Sequence, residues 1–181
     1  APNLKIVDLY TLNSTTVTYI NIKNCPKLIT LNFPNLDKVD DINIKNCPKL
    51  ETLNQSLQNI KNFKILNCAI TDITLGNLNT DINTFKILNN NKLNNISVGV
   101  GVDISISEVT ITSNKVLTKI ELPNKITNKL NISNNQNLNE ITGITTLLGN
   151  NASNALDIER IPTTQNVEIK NNPKLLHSKI P

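Results

Sequence analysis

The sequence predicts an all-β or mostly β chain folded as a right-handed parallel β-solenoid of about eight rungs, each 21–24 residues long. Three observations lead there. A twelve-residue phrase, VTYINIKNCPKL at residues 17–28, returns almost unchanged as VDDINIKNCPKL at residues 39–50. Worn copies follow at 82–93 (INTFKILNNNKL), 106–117 (ISEVTITSNKVL), 127–138 (TNKLNISNNQNL) and 163–175 (TTQNVEIKNNPKL). The core-forming residues are also of one kind: Ile, Leu and Val dominate, aromatics are 3%, and Met and Trp are absent. β-Branched residues and Leu at regular spacing suit strands stacked so that equivalent positions meet.

The phrase reads Φ-x-x-Φ-x-Φ-x-x-(Asn/Cys)-x-x-Leu, where Φ is apolar. Its key isoleucines, Ile22, Ile44, Ile65, Ile87, Ile111 and Ile132, lie 22, 21, 22, 24 and 21 residues apart. Residues 1–12 fit the phrase loosely through Leu4, Val7, Leu9 and Leu12 and are expected to form a first rung entered part-way. Half a repeat after each phrase comes a short alternating segment: LITLNF (28–33), LETLNQ (50–55), ITDITL (70–75), LNNISV (93–98) and LTKIEL (117–122). Alternation of apolar and polar residues is the period of a half-buried strand. Each rung is therefore expected to hold two short strands on different faces, joined by tight turns such as NCPK and NNPK. No segment keeps a 3.6-residue period for ten residues, and Pro and Asn interrupt every rung, so helices are not expected.

One register break appears. After Ile132 the next equivalent isoleucine is Ile169, 37 residues on. The chain reads as a single repeat domain over 1–181, with regular rungs at 1–142, an irregular rung or insertion at 143–165, and a last rung at 166–181. Ala1 stands where an initiator Met would, as expected of a processed product or of a piece of a longer chain.

Asn makes up about a fifth of the chain, a bias that elsewhere signals low complexity. Here the residues keep step with the repeat. Asn24, Asn46, Asn67, Asn89, Asn134 and Asn171 precede position nine of the phrase and suit turns or left-handed backbone. Position nine itself runs Cys25, Cys47, Cys68, Asn90, Asn114, Asn135 and Asn172. Three cysteines at equivalent positions are unlike a disulfide framework and are expected as buried free thiols.

The phrase resembles a leucine-rich repeat over nearly the whole chain. With a strand in the second half-rung and NCPKL or NNPKL turns, it is most similar to the receptor L domain of insulin- and EGF-receptor-like ectodomains. The resemblance implies an inward-turning residue at position nine, whose Asn amide bonds backbone groups left over at the turn. It also implies an extracellular or cell-surface recognition module that binds a protein partner through a face of the solenoid.

Composition narrows the function further. One histidine, His177, leaves almost no material for a nucleophile–base pair, so no enzymatic activity, cofactor or metal is expected. The net charge is +4, yet lysine is spread along the chain and Arg160 is the single arginine, so no nucleic-acid partner is expected. No apolar run reaches the ~18 residues of a spanning helix. Asp40 and Asp41, adjacent in sequence, are expected to point to opposite sides. Segment 99–103 (GVGVD) reads as a turn.

The candidate partner-binding face is the outward row of the first strand in each rung: Tyr19, Asn21, Lys23, Asp41, Asn43, Lys45, Lys64, Lys86 and Thr110. Thr84, Glu108 and Lys129 continue it. Sequons at Asn13, Asn54, Asn95, Asn131 and Asn151 are candidate N-glycan sites, with Asn54, Asn95 and Asn131 expected to face outward. Self-association of solenoid ends into filaments or matrix is the alternative function, since uncapped ends expose strand edges. An ice-binding solenoid is a minor alternative, suggested by rows of short hydroxyl and amide side chains on the second face. The register itself has a direct test: Ile87→Asp places an unpaired charge in mid-column. Far-UV circular dichroism is expected to show no cooperative fold for this variant, and a stable folded protein would refute the column.

Overall fold

A computed structural model describes residues 1–9, 16–144, 146–147, 150–151 and 167–175. Among the described residues every regular element is a strand, and all but one pairing is parallel. The chain winds as a β-solenoid. The phrase forms the long strands β2 (Thr16–Lys23), β4 (Lys38–Cys47), β6 (Asn59–Cys68), β8 (Ile82–Leu88), β10 (Ser105–Thr112) and β12 (Lys125–Ser133). These stack in order as one continuous sheet.

The half-repeat segments form short strands on another face. β1 (Ile6–Asp8), β3 (Thr30–Phe33) and β5 (Thr52–Gln55) make one small sheet. β7 (Asp72–Leu75), β9 (Asn95–Val98), β11 (Lys119–Glu121) and β13 (Glu140–Thr142) make a second. Where these two sheets part, the Gln55 Nε2 donates to the carbonyl of Thr74 at 2.5 Å, a side-chain bond in place of a backbone ladder.

Identical positions meet across rungs. Ile22, Ile44, Ile65, Ile87, Ile111, Ile132 and Ile169 pair in that order, as the spacing predicts. The neighbouring column runs Ile20, Ile42, Phe63, Phe85, Val109 and Leu130, with the two phenylalanine rings stacked at 5.6 Å and 9°. Leu31, Leu53, Ile73, Ile96, Ile120 and Ile141 face these columns from the short strands. From Ile44 to Ile132 the main column is inaccessible to solvent, so the core is a rod running the length of the array.

Every rung but that of Cys68 closes with the same turn. Leu28, Leu50, Leu93, Leu117, Leu138 and Leu175 each donate their N–H to the carbonyl three residues back, at 3.0–3.2 Å. Pro26, Pro48 and Pro173 occupy the second position of such turns, where a fixed φ near −65° is already correct. Just before, Asn24, Asn46, Asn67, Asn89, Asn134 and Asn171 are left-handed, with φ of 54–58°. Ser113 takes this role in the fifth long rung at φ 60°. The left-handed region costs most side chains 1–2 kcal/mol but is visited routinely by Asn, which explains the choice.

Position nine is solved in two ways. Asn90, Asn114, Asn135 and Asn172 are buried, and each amide bridges to the rung before it. Asn114 Oδ1 accepts from the Asn90 N–H at 3.0 Å, while its Nδ2 donates to the Ile87 carbonyl at 3.2 Å. Asn90 links likewise to the Cys68 N–H and the Ile65 carbonyl, Asn135 to Asn114 and Ile111, and Asn172 to Asn135 and Ile132. A thiol lacks this reach. In the cysteine rungs β4 and β6 instead run on through position nine, pairing Cys47 with Cys68, whereas β8 stops at Leu88.

Three expectations need correction. The solenoid has about six turns, not eight. Residues 6–8 pair only in the short sheet, with Val7 opposite Leu31, so they supply half a rung, in keeping with the part-way entry expected there. At the other end β14 (Thr146–Leu147) and β16 (Val167–Lys170) both pair with β12, against its front and back halves respectively. They are two pieces of a single rung, opened by an insertion that leaves through the antiparallel partner β15 (Asn150–Asn151). Lastly, Asp40 and Asp41 are both half-buried between the fully buried Val39 and Ile42. Two buried residues three apart cannot both face inward under strict alternation, so the strand departs from its two-residue period there. Segment 99–103 is a turn, as expected, with Gly99 at φ 59°.

Two substitutions test this account of the turns. Asn114→Ala strands the Ile87 carbonyl and the Asn90 N–H in the interior and is expected to cost about 2–4 kcal/mol in urea unfolding. Ser113→Asn restores the residue that tolerates left-handed backbone and is expected to raise stability by up to about 1 kcal/mol in the same assay.

Candidate binding face on the long sheet

The outer surface of the long sheet is built from the polar positions between the buried columns. Its rows follow from the strand register. One row runs Tyr19, Asp41, Asn62, Thr84, Glu108 and Lys129. The next runs Asn21, Asn43, Lys64, Lys86, Thr110 and Asn131. A third begins Lys23, Lys45, Leu66 and Leu88.

An open groove of about 570 Å³ lies on this surface. Of the nine residues assigned to the face by sequence, six line it: Lys23, Asn43, Lys45, Lys64, Lys86 and Thr110. Tyr19, Asn21 and Asp41 lie outside it, Tyr19 being 69% exposed on the outermost long strand. Thr84, Glu108 and Lys129 complete the lining, together with Asn24, Asn46 and Leu66, which the sequence pattern did not bring to the face. Asn24 and Asn46 belong to the turn positions, and the only signal for them was adjacency to Lys23 and Lys45.

Charge in the groove is uncompensated. Among the described residues, Lys23, Lys45, Lys64, Lys86 and Lys129 have no carboxylate within 4.0 Å. Two acidic side chains of the face are engaged by amides instead: Asn62 donates to Asp41 at 2.7 Å and Asn128 to Glu108 at 3.2 Å. Some lysines elsewhere are paired. Lys119 lies 2.7 Å from Glu121 and 3.4 Å from Glu140 on a short sheet, and its ammonium holds the Glu121 carboxyl below the usual carboxylate range. Lys61 reaches Asp40 at 3.2 Å and Lys92 reaches Glu51. Lysine spread evenly along the sequence thus becomes a cluster in space, because Lys23 and Lys45, like Lys64 and Lys86, sit one rung apart.

The candidate glycan sites divide. Asn54 is exposed on β5, and its Nδ2 donates to Asn32 at 2.7 Å. Asn95, at the start of β9, and Asn131, within β12, are half-buried and donate to Asp72 at 3.0 Å and Glu168 at 2.7 Å. Asn13 and the side chain of Asn151 lie outside the described residues.

The chain's thiols offer little chemistry. Cys25, Cys47 and Cys68 are buried and unbridged, and each Sγ donates to the carbonyl two residues back at 3.4–3.5 Å. The hydrogen bond shared by Cys47 and Cys68 lowers the Cys47 thiol to about 6 and, with burial, pushes the Cys68 thiol far up, so it is the complete burial of Cys47 that keeps the pair from reagents. Among the described residues no group of three His, Cys, Asp or Glu side chains is placed to hold a metal ion, and no helix is long and apolar enough to cross a membrane.

Comparison of the chain with protein-family models, with curated proteins and with solved structures gave no match. The buried thiols set an expected outcome for a chemical probe. A thiol-specific chromogenic disulfide is expected to leave all three cysteines unmodified in the native protein and to titrate them fully in denaturant; rapid native labelling would contradict the packing.

Proposed function

We propose that this protein is a non-enzymatic recognition module that binds a protein partner through the groove on its long sheet, outside the cell or at its surface. The observation that carries the reading is the groove itself, where five lysines stand without a carboxylate within 4.0 Å among the described residues, while Asp41 and Glu108 on the same sheet accept from amides. The likeness of the repeat phrase to leucine-rich repeats of the receptor L type supports the same reading, because solenoids of that kind present side chains on flat, rigid strands. Binding sites held on strands keep their geometry better than sites held on loops. A glycan at Asn54 fits this setting, since that sequon is exposed and lies on the short-strand side, away from the groove.

A second reading is favoured by one observation of its own. Ile44, Ile65, Ile87, Ile111 and Ile132 are fully buried, but Ile22, in the outermost long strand β2, is only partly covered. Ile6 in the short sheet is 60% exposed. Stacking of solenoid ends into filaments or matrix would cover both, by continuing the ladder from one copy to the next.

Two measurements separate these readings. Sedimentation velocity and electron microscopy over a concentration series are expected to show monodisperse particles; polymers with a regular axial repeat would favour end stacking. Selection of a random peptide display library on the purified protein is expected to enrich binders that lose affinity for the Asn43→Trp variant, whose indole would stand in the groove. Enriched binders indifferent to that change, or none, would remove the recognition reading.

A further inference from the structure

We infer that the groove takes an extended acidic peptide, a segment of the partner in which Asp or Glu recur over about five residues. The inference rests on the recognition reading and specifies its ligand.

The register sets the spacing of charge. Lys23 lies beside Lys45 on β2 and β4, and Lys64 beside Lys86 on β6 and β8. The two pairs are offset by two residues along the strands, because Asn43 is opposite Lys64 while Lys45 is opposite Leu66. Strands are about 4.8 Å apart, so the four lysines step across four consecutive strands over about 14 Å. Like charges directly opposite one another on neighbouring strands are destabilising. Two such pairs in succession, with no carboxylate of the described residues within 4.0 Å of them, leave a positive field over a concave polar surface. Such a surface raises the local concentration of anions and steers them in.

The rest of the lining selects the kind of anion. Among the described residues no arginine and no aromatic side chain lines the groove. It therefore lacks the planar fork that grips phosphate or sulfate in two places and the stacking platform that single-stranded nucleic acid uses. Glu108 lies in the same lining, so a uniformly charged polymer would pass a repelling carboxylate. A peptide escapes that conflict by placing acidic residues only over the lysines. Between and beside the lysines, Asn43, Thr84 and Thr110 offer an amide and hydroxyls, both donors and acceptors, suited to a peptide backbone. An extended chain advances ~3.3–3.6 Å per residue, so the 14 Å run corresponds to about five residues.

Fluorescence anisotropy with labelled peptides of about ten residues, enough to overreach the lysine run, tests this. The probes are alternating Glu and Thr, and alternating Gln and Thr as the neutral control. The Glu peptide is expected to bind, to weaken as salt screens the groove, and to lose about tenfold or more in affinity to the Lys45→Glu/Lys64→Glu double variant. Glu108→Gln is expected to bind it at least as well as the parent. Thermal melts confirm that each variant is folded, and Lys45→Gln/Lys64→Gln serves if charge reversal disturbs the sheet. Equal binding of the Gln peptide, or no effect of either lysine double variant, overturns the acidic ligand. The display selection with Asn43→Trp still decides whether the groove recognises a partner at all. Tighter, lysine-dependent binding of single-stranded DNA or a sulfated polysaccharide of similar length also overturns it, in favour of a uniformly charged polymer. Failure of every probe overturns it too, and leaves recognition to be judged by the selection alone.

Discussion

A solenoid must turn its chain sharply once or more in every rung while keeping the turning backbone out of water. Peptide groups at such a corner have lost their solvent partners, and each one left unpaired costs about 1–3 kcal/mol. The residue at position nine meets that demand. In the later rungs a buried Asn reaches back one rung, accepts from one N–H and donates to one carbonyl. In the earlier rungs a cysteine fills the same space, and β4 and β6 run two residues further, pairing at position nine itself. The left-handed residue just before belongs to the same arrangement, since it turns the chain inward at that point. The high Asn content follows from these two demands repeated at every rung, one conformational and one for hydrogen bonds.

Stacking acts on the surface as it does on the core. Any outward side chain repeated at one-rung intervals becomes a row, and rows of like charge arise without any run of basic residues in the sequence. On the short-strand side the resulting charges are mixed and satisfy one another, as Lys119 does with Glu121 and Glu140. On the long sheet the groove keeps five lysines with no carboxylate within 4.0 Å among the described residues. Exposed ion pairs add only about 0–1 kcal/mol to a fold, so the difference between the faces matters little for stability. It matters for what approaches from outside.

The split rung after β12 shows how far the repeat can be disturbed. β14 and β16 pair with the two halves of β12, so the chain is back on the same strand's edge after the insertion. Loop closure grows only logarithmically with length, which makes such an insertion thermodynamically tolerable. The main column survives it, since Ile169 still pairs with Ile132 and Asn172 still bonds the Asn135 N–H. Gly143, at φ 98°, lies just before this rung, and any side chain there would run into the Leu122 carbonyl.

What the sequence by itself determined is whatever repeats. The two strands per rung, the isoleucine column from Ile22 to Ile169, the left-handed asparagines and the inward residue at position nine are all local patterns copied at a fixed period. Parallel stacking places each copy over the last, so one rung predicts its neighbours. Most of the candidate face was legible for the same reason, since Lys23, Asn43, Lys45, Lys64, Lys86 and Thr110 occupy repeated outward positions. Only the tertiary structure decided what breaks the repeat. It reduced the terminal segments to part-rungs, because pairing needs a neighbour on the correct face and Val7 finds one only in the short sheet. It set Asp40 beside Asp41 between two buried residues, split the short strands into two sheets, and joined Asn24, Asn46 and Leu66 to the groove while leaving Tyr19 outside. Those outcomes depend on how successive rungs bend and where they end, which no residue spacing within a single rung records.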